Sequence, residues 1–304
     1  MNPILLFLTL AIKAYSMPML VTDQTEHRIL LMNLPSGELI REWRAADIPE
    51  HHRKWFRNPS EVKASRDLKY ILMCASGGGA AIIRLNDAKT LWYDSVGGNP
   101  HSIDIAPFHT VVVASSTGNM YTVFRYDTTK AYEPGRPRTS IAAPDAHSVN
   151  FYQDSFYIAG RDKIWICLFR KGKRNGVADV QIANSATIPG KGAHDMSYGS
   201  RTGVFYVTTV DTLLEFHTQD HSFHPVNSKV TRNIKSFSEG GNDYPAIVTI
   251  PKEQWWTDEV TDLQGNAVLR IPGAKIYKAR WMKGFMSSYA EINAKGDTTY
   301  FKKW

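Results

Sequence analysis

The stretch Gly97-Gly98-Asn99-Pro100-His101-Ser102 returns in altered form along the chain, and this periodicity restricts the fold more than any other feature. Upstream stands Asn58-Pro59-Ser60-Glu61. Downstream stand Asp145-Ala146-His147-Ser148, Gly192-Ala193-His194-Asp195, Asn233-Ile234-Lys235-Ser236 and Ile276-Tyr277-Lys278-Ala279. The aligned position therefore reads Ser60, His101, His147, His194, Lys235 and Lys278, at intervals of 41 to 47 residues. A period of about 40 to 45 residues built from short strands marks the blades of a β-propeller. Counting back one further period from Ser60 reaches Met19-Leu20-Val21-Thr22-Asp23, which reads as the first strand of another unit. The expectation is an all-β, seven-bladed propeller forming a single domain. Dividing the residues after position 16 by seven gives about 41 per unit, within the same range.

Strand order inside a unit follows from alternation and turn residues. In the third unit, strand A spans His101–Ala106, B spans Thr110–Ser115, C spans Met120–Tyr126, and D lies near Thr139–Ala142. Antiparallel neighbours alternate direction, so D-to-A and B-to-C connections emerge on one face of the ring. The residues that open the A strands therefore share a face, around the channel mouth. The B-to-C turns holding Ser76, Gly77–Gly79, Ser116–Asn119 and Arg161 share it. For any single histidine, a half-buried spacer in a capped turn is the simpler account. Three in register, followed by two lysines, point to a functional mouth. Imidazoles converging on an axis suit either a transition metal or proton transfer beside cations that bind a carboxylate.

The chain ends and the composition set the remaining bounds. Residues 2–12 are apolar but too short to cross a bilayer, and Ala14-Tyr15-Ser16 places small residues at a cleavage point. Residues 1–16 are read as a signal peptide, leaving a propeller over 17–304 in a secreted, extracellular protein. The net charge of +7 and pI near 9.2 favour an anionic partner. Nucleic acid is set aside because the basic residues are spread out and no nucleic-acid motif appears. No later segment suits a membrane, and a monomer is expected. Cys74 and Cys167 fall in apolar strands of separate units, so both are expected as buried free thiols.

Val96–Ser102, together with Ala75-Ser76-Gly77-Gly78-Gly79, Trp255-Trp256-Thr257-Asp258 and Ile276–Trp281, resembles a family of secreted microbial propellers. That family includes the fungal L-rhamnose-α-1,4-D-glucuronate lyases, which act on arabinogalactan side chains such as those of gum arabic. The resemblance implies a polysaccharide lyase with an exo-acting β-elimination: removal of the uronate C5 proton, then loss of the group on O4. Under it His101 is the base and acid, and Arg161 clamps the carboxylate. His147, His194, Lys235, Lys278, Asn99 and Ser76 bind substrate. The resemblance fixes no cofactor but suggests a divalent cation, calcium or manganese, in the central channel. Calcium prefers oxygen ligands, whereas three histidines would suit manganese or zinc better. The alternative is a non-catalytic propeller that binds acidic carbohydrate, with Trp92, Trp255, Trp256, Trp281 and Tyr198 stacking on sugar rings.

Overall fold

The computed structural model describes residues 17–65, 67–172, 176–241 and 244–283, and the short paired strands Glu291–Ile292 and Thr298–Thr299. β-Branched and aromatic runs bounded by Gly, Asn and Asp turns give short antiparallel strands throughout. Thr110–Ser115, for instance, is buried along its whole length. The strands assemble into six four-stranded sheets. Blade two runs Pro59–Ala64, Tyr70–Ala75, Gly79–Arg84, Thr90–Ser95. Blade three opens with Pro100–Ala106, blade four with Ala146–Tyr152, blade five with Asp195–Tyr198 and blade six with Ser236–Ser238. Blade one is built from both ends of the chain. Its inner strand is Ile276–Trp281, and its outer three are Met17–Asp23, Arg28–Leu34 and Glu38–Trp43. The six inner strands neighbour one another in a closed ring.

The propeller thus has six blades, not the seven expected. The unit counted at Met19 and the unit opened by Lys278 are two parts of one blade, since Met19–Asp23 pairs with Ile276–Trp281. The step back from Ser60 landed on a B strand whose A strand lies at the other end of the chain. Such interlocking removes the exposed edges that an open ring would leave. From the sequence, the segment around Thr298–Trp304 reads as helping to close the ring against the first unit; in the structure Ile276–Trp281 closes it, and Thr298–Thr299 pairs with Glu291–Ile292. Residues 300–304 and the expected signal peptide lie outside the described residues. Where they are described, strand bounds within the third unit agree with the expectation to within a residue or two.

Each interface between successive blades holds one apolar cluster. Phe56, Met73 and Trp43 pack between blades one and two, and Trp92, Ile103 and Phe124 between two and three. Phe151, Phe156 and Tyr121 fill the next, and Phe205 and Phe216 the one after. Blades five and six meet through a smaller set: Tyr206, Leu213, Ile234, Phe237 and Val248. Val21, Ile247 and Ile276 seal blade six to blade one. Burying one such side chain contributes about 1.5–3 kcal/mol, so losing an interface is costly. Cys74 and Cys167 are buried free thiols inside these layers. Among the described residues no helix is long and apolar enough to cross a membrane. A chain ending at Lys275 should lose cooperative unfolding in a circular-dichroism melt, because blade one then lacks its inner strand. An unchanged melt would contradict closure by that strand.

Candidate functional site

Local backbone geometry explains why the repeated motif recurs. Two residues before each mouth position in blades two to six, the chain turns through positive φ: Asn58 (55°), Asn99 (57°), Asp145 (56°), Gly192 (62°) and Asn233 (54°). Asn, Asp and Gly tolerate this left-handed conformation best. A register shift follows immediately. Pro59 and Glu61 pair with consecutive residues of the next strand, as do Pro100 and Ser102, and Ala146 and Ser148. Ser60, His101 and His147 are therefore the extra residues of β-bulges, which aim a side chain out of the ladder. In blade one the shift leaves Tyr277 and Lys278 facing Thr22, whose hydroxyl accepts both of their backbone N–H groups at 3.2 and 2.9 Å.

These devices gather the side chains around a cavity of about 370 Å³, lined by Gln24, Asn58, Ser76, Asn99, His101, His147, His194, Lys235, Trp255 and Tyr277. The rings form an arc: His101 and His147 meet edge to face with centroids 4.6 Å apart, and His147 and His194 at 5.5 Å. Tyr277 closes onto His101 at 5.6 Å, passing the small Ser60 of the intervening blade. The Nδ1–H of His101 donates to the Asn99 carbonyl at 2.9 Å, and that of His147 to the Asp145 carbonyl at 2.8 Å. The Asp145 carboxylate lies 3.3 Å from the same nitrogen of His147. Each ring is thereby held in the tautomer that leaves Nε2 as an acceptor. Lys235 donates to Nε2 of His194 at 2.9 Å.

Burial governs the titration of this arc. It pushes His101 well below the usual histidine range, helped by the neighbouring His147. His147 is lowered by burial against the opposing pull of Asp145. His194 falls to about 3 through burial and the adjacent Lys235. Burial also lowers Lys235, to about 8. The cup thus presents neutral imidazoles beside one ammonium. Among the described residues no carboxylate lines it. Nδ1 of His194 and Oδ1 of Asn99 are buried without a hydrogen-bond partner.

The floor of the cup is a layer of buried charge on the ring axis. Glu61 and Asp195 are inaccessible to solvent, and Lys278 binds both, at 3.0 and 3.1 Å, and also the His101 carbonyl at 3.1 Å. Arg280 bridges the same two carboxylates, reaching Glu61 at 3.0 Å and Asp195 at 2.6 Å. Beyond this layer, Lys63 and Arg280 face a smaller cavity of about 70 Å³ at the other end of the channel.

Of the residues singled out in the sequence, His101, His147, His194, Lys235, Asn99 and Ser76 meet at the cup. Arg161 does not join them. It is exposed in the turn before Lys163–Arg170 and offers only its backbone carbonyl, to the N–H of Ala193. Lys278 lies beneath the cup, because the bulge gives the mouth position to Tyr277 and turns Lys278 to the axis. Of the five aromatics considered for sugar stacking, Trp255 lines the mouth, whereas Trp92 and Trp281 are buried. Gln24, Asn58, Tyr277 and the axial Glu61, Asp195 and Arg280 escaped sequence reasoning. The signal for the axial set was present as charges in apolar inner strands. A channel cation fits these residues poorly, since Lys278 and Arg280 already engage both axial carboxylates. Among the described residues no group of three His, Cys, Asp or Glu side chains is placed to hold a metal ion.

Fold and cup together define a six-bladed β-propeller with a histidine-rich mouth. By sequence the chain belongs to DUF6528, a family of unknown function, matched over residues 8–295. No curated protein matches it. Among solved structures it is similar to a protein of unknown function from Bacteroides caccae, with TM-score 0.58 and 15% identity over 88% of this chain and 99% of the other. The β-propeller domain of Cps50 (Swd1) from Myceliophteria thermophila gives 0.52 and 12%, over 86% and 87%. A functionally unknown protein from Desulfotomaculum acetoxidans gives 0.51 and 11%, over 88% and 99%. At these identities the likeness is one of fold, and none of the three resembles the rhamnose-glucuronate lyases by name.

The lowered histidines make a prediction about stability. An unfolded histidine binds its proton near pH 6.5, whereas His101, His147 and His194 resist protonation when folded. Stability should therefore fall as pH drops below about 6.5, before most carboxylates titrate near pH 4. Replacing all three by Gln should flatten the denaturant midpoint across that window. An equally steep loss in the triple variant would place the effect elsewhere.

Proposed function

We propose that the cup binds the uronate end of an acidic glycan and cleaves it by β-elimination, as a polysaccharide lyase. The observation that carries this reading is the lone ammonium of Lys235 among neutral imidazoles, in a cup lined by no described carboxylate. An anionic carboxylate placed against Lys235 gains a charge-assisted hydrogen bond in a partly desolvated site. Neutralising it acidifies the adjacent C5–H. His147 is the base we assign, in place of His101. It stands at the centre of the arc, and the Asp145 carboxylate behind Nδ1 supports the imidazolium that forms. Its Nε2 takes the C5 proton, the released pair forms the C4–C5 double bond, and the bond to O4 breaks. The proton then passes from His147 to the departing oxygen. The carboxylate contact given to Arg161 in the sequence passes to Lys235.

The closed floor favours entry of a chain end rather than passage of a strand, consistent with exo action. The glycan suggested by the sequence resemblance, an L-rhamnose-capped D-glucuronate of arabinogalactan in an extracellular setting, is the substrate to test first. Incubation with gum arabic should raise ultraviolet absorbance as unsaturated uronate forms. Binding without absorbance would leave a carbohydrate-binding propeller.

Two variants probe the roles. His147→Ala should lower turnover by about 100-fold or more, the usual scale for losing a general base. Retained turnover would return the role to His101. Loss of the Lys235 ammonium should set the alkaline limb of kcat/KM near about 8. Lys235→Arg, charged to far higher pH, should move that limb upward. A limb that stays in place would exclude Lys235 as its source.

A further inference from the structure

Lys235 meets different company from other lysines that the fold ties down. Lys278 binds two carboxylates on the axis, and Lys252 is held by Asp258 and Glu259 at 2.8 and 3.0 Å. Among the described residues Lys235 has no carboxylate partner. Its ammonium donates to a neutral imidazole, Nε2 of His194, at 2.9 Å. The side chain starts from a fixed point, because the Lys235 N–H donates to the Thr249 carbonyl at 2.9 Å where the inner strand of blade six opens. Lys235 is only half-buried and lines the cavity of about 370 Å³, so a ligand in the cup can reach it. The other titratable groups lining that cavity are His101, His147, His194 and Tyr277, all neutral near pH 7. An amine with no anion beside it in a partly desolvated site gives up its proton more readily than a solvated one. With Lys235 at about 8, about one molecule in ten carries the free amine at pH 7, against about one in a few thousand for an ordinary lysine.

We propose that Lys235 is a nucleophile that condenses with a small 2-oxo acid in the cup to form an imine. This activity goes beyond elimination from a glycan and does not depend on it. The carboxylate of the acid docks on the ammonium, which brings the neighbouring carbonyl carbon to the same nitrogen. His194 takes one ammonium proton through Nε2. The freed nitrogen pair bonds to the carbonyl carbon while the C=O π pair moves onto oxygen. A second proton passes from nitrogen to that oxygen, and His194 returns its own. The oxygen leaves as water as the nitrogen pair closes the C=N bond. The third proton stays on the imine nitrogen, so a positive charge remains beside the carboxylate.

The test is reductive trapping on the full chain with pyruvate and cyanoborohydride at neutral pH, read by intact mass and peptide mapping. One adduct should form at Lys235, saturating with pyruvate and at least about tenfold faster than at any other lysine. Acetone, which lacks the carboxylate, should label Lys235 about tenfold more slowly or worse. Lys235→Arg keeps the charge and should lose the adduct, with a melting curve showing that it folds. His194→Gln should slow labelling about fivefold or more while Lys235 remains the site. An unmodified Lys235 in the parent, or label spread over the lysines without preference, overturns the proposal. Equal rates for acetone overturn the choice of a 2-oxo acid, and an unchanged rate in His194→Gln overturns the proton relay. Glucuronate bound in calorimetry without any pyruvate adduct overturns the imine and leaves the uronate reading standing. An adduct that glucuronate fails to slow supports the imine and counts against the uronate reading instead.

Discussion

The ion layer at the centre of the ring is the constraint on which the rest depends. Glu61 comes from blade two and Asp195 from blade five, while Lys278 and Arg280 both lie on the strand that closes blade one. Taking four charges out of water costs several kcal/mol per ion, and their mutual attraction offsets this only with full pairing. Here each carboxylate meets both cations, and Lys63 stands a further 3.9 Å from Glu61. The cations hold Glu61 and Asp195 below the ordinary carboxylate range despite complete burial. An open ring would leave Glu61 and Asp195 buried beside few partners. Charge pairing and blade closure are therefore one event, and the strand Ile276–Trp281 is selected by chemistry as well as by ladder hydrogen bonds.

How far the fold could be read follows from which of its parts are local. The period was legible because blades two to six each turn through a left-handed residue followed by an apolar one, and blades two to four add a bulge, spelled Asn-Pro-His at 99–101 and Asp-Ala-His at 145–147. The blade number was misread because closure is a contact between chain ends, and a linear repeat counts its two halves twice. Six aligned positions, Ser60 to Lys278, already equalled the number of blades. The cup was legible wherever the bulge fell in register. It failed at Lys278 because a bulge changes which of two adjacent residues faces the mouth, and the sequence does not mark which. Arg161 was placed on the correct side of the ring by its turn, but side-chain reach is not encoded in strand order. The axial ions were overlooked because a charge in an apolar strand reads as a solvated position until its partners, over 200 residues away for Glu61 and Lys278, are known.

The floor and the cup are coupled through the same strands. His101 projects its ring into the cup while its carbonyl accepts Lys278 below. His194 precedes Asp195, so the residue that meets Lys235 is adjacent to one that anchors Arg280. A bulge lets consecutive residues serve two levels, one aimed at the mouth and the next at the axis. The consequence is electrostatic. The axial cations are neutralised locally by Glu61 and Asp195, so they contribute little net charge to the cup, and Lys235 is left as the group an anion meets. Had Lys278 faced the mouth, two ammonium groups would have competed within one small cavity and each would have disfavoured the other's charge. Turning it to the axis keeps the imidazoles beside a single cation, the arrangement in which a neutral base and an anion-binding group coexist at neutral pH.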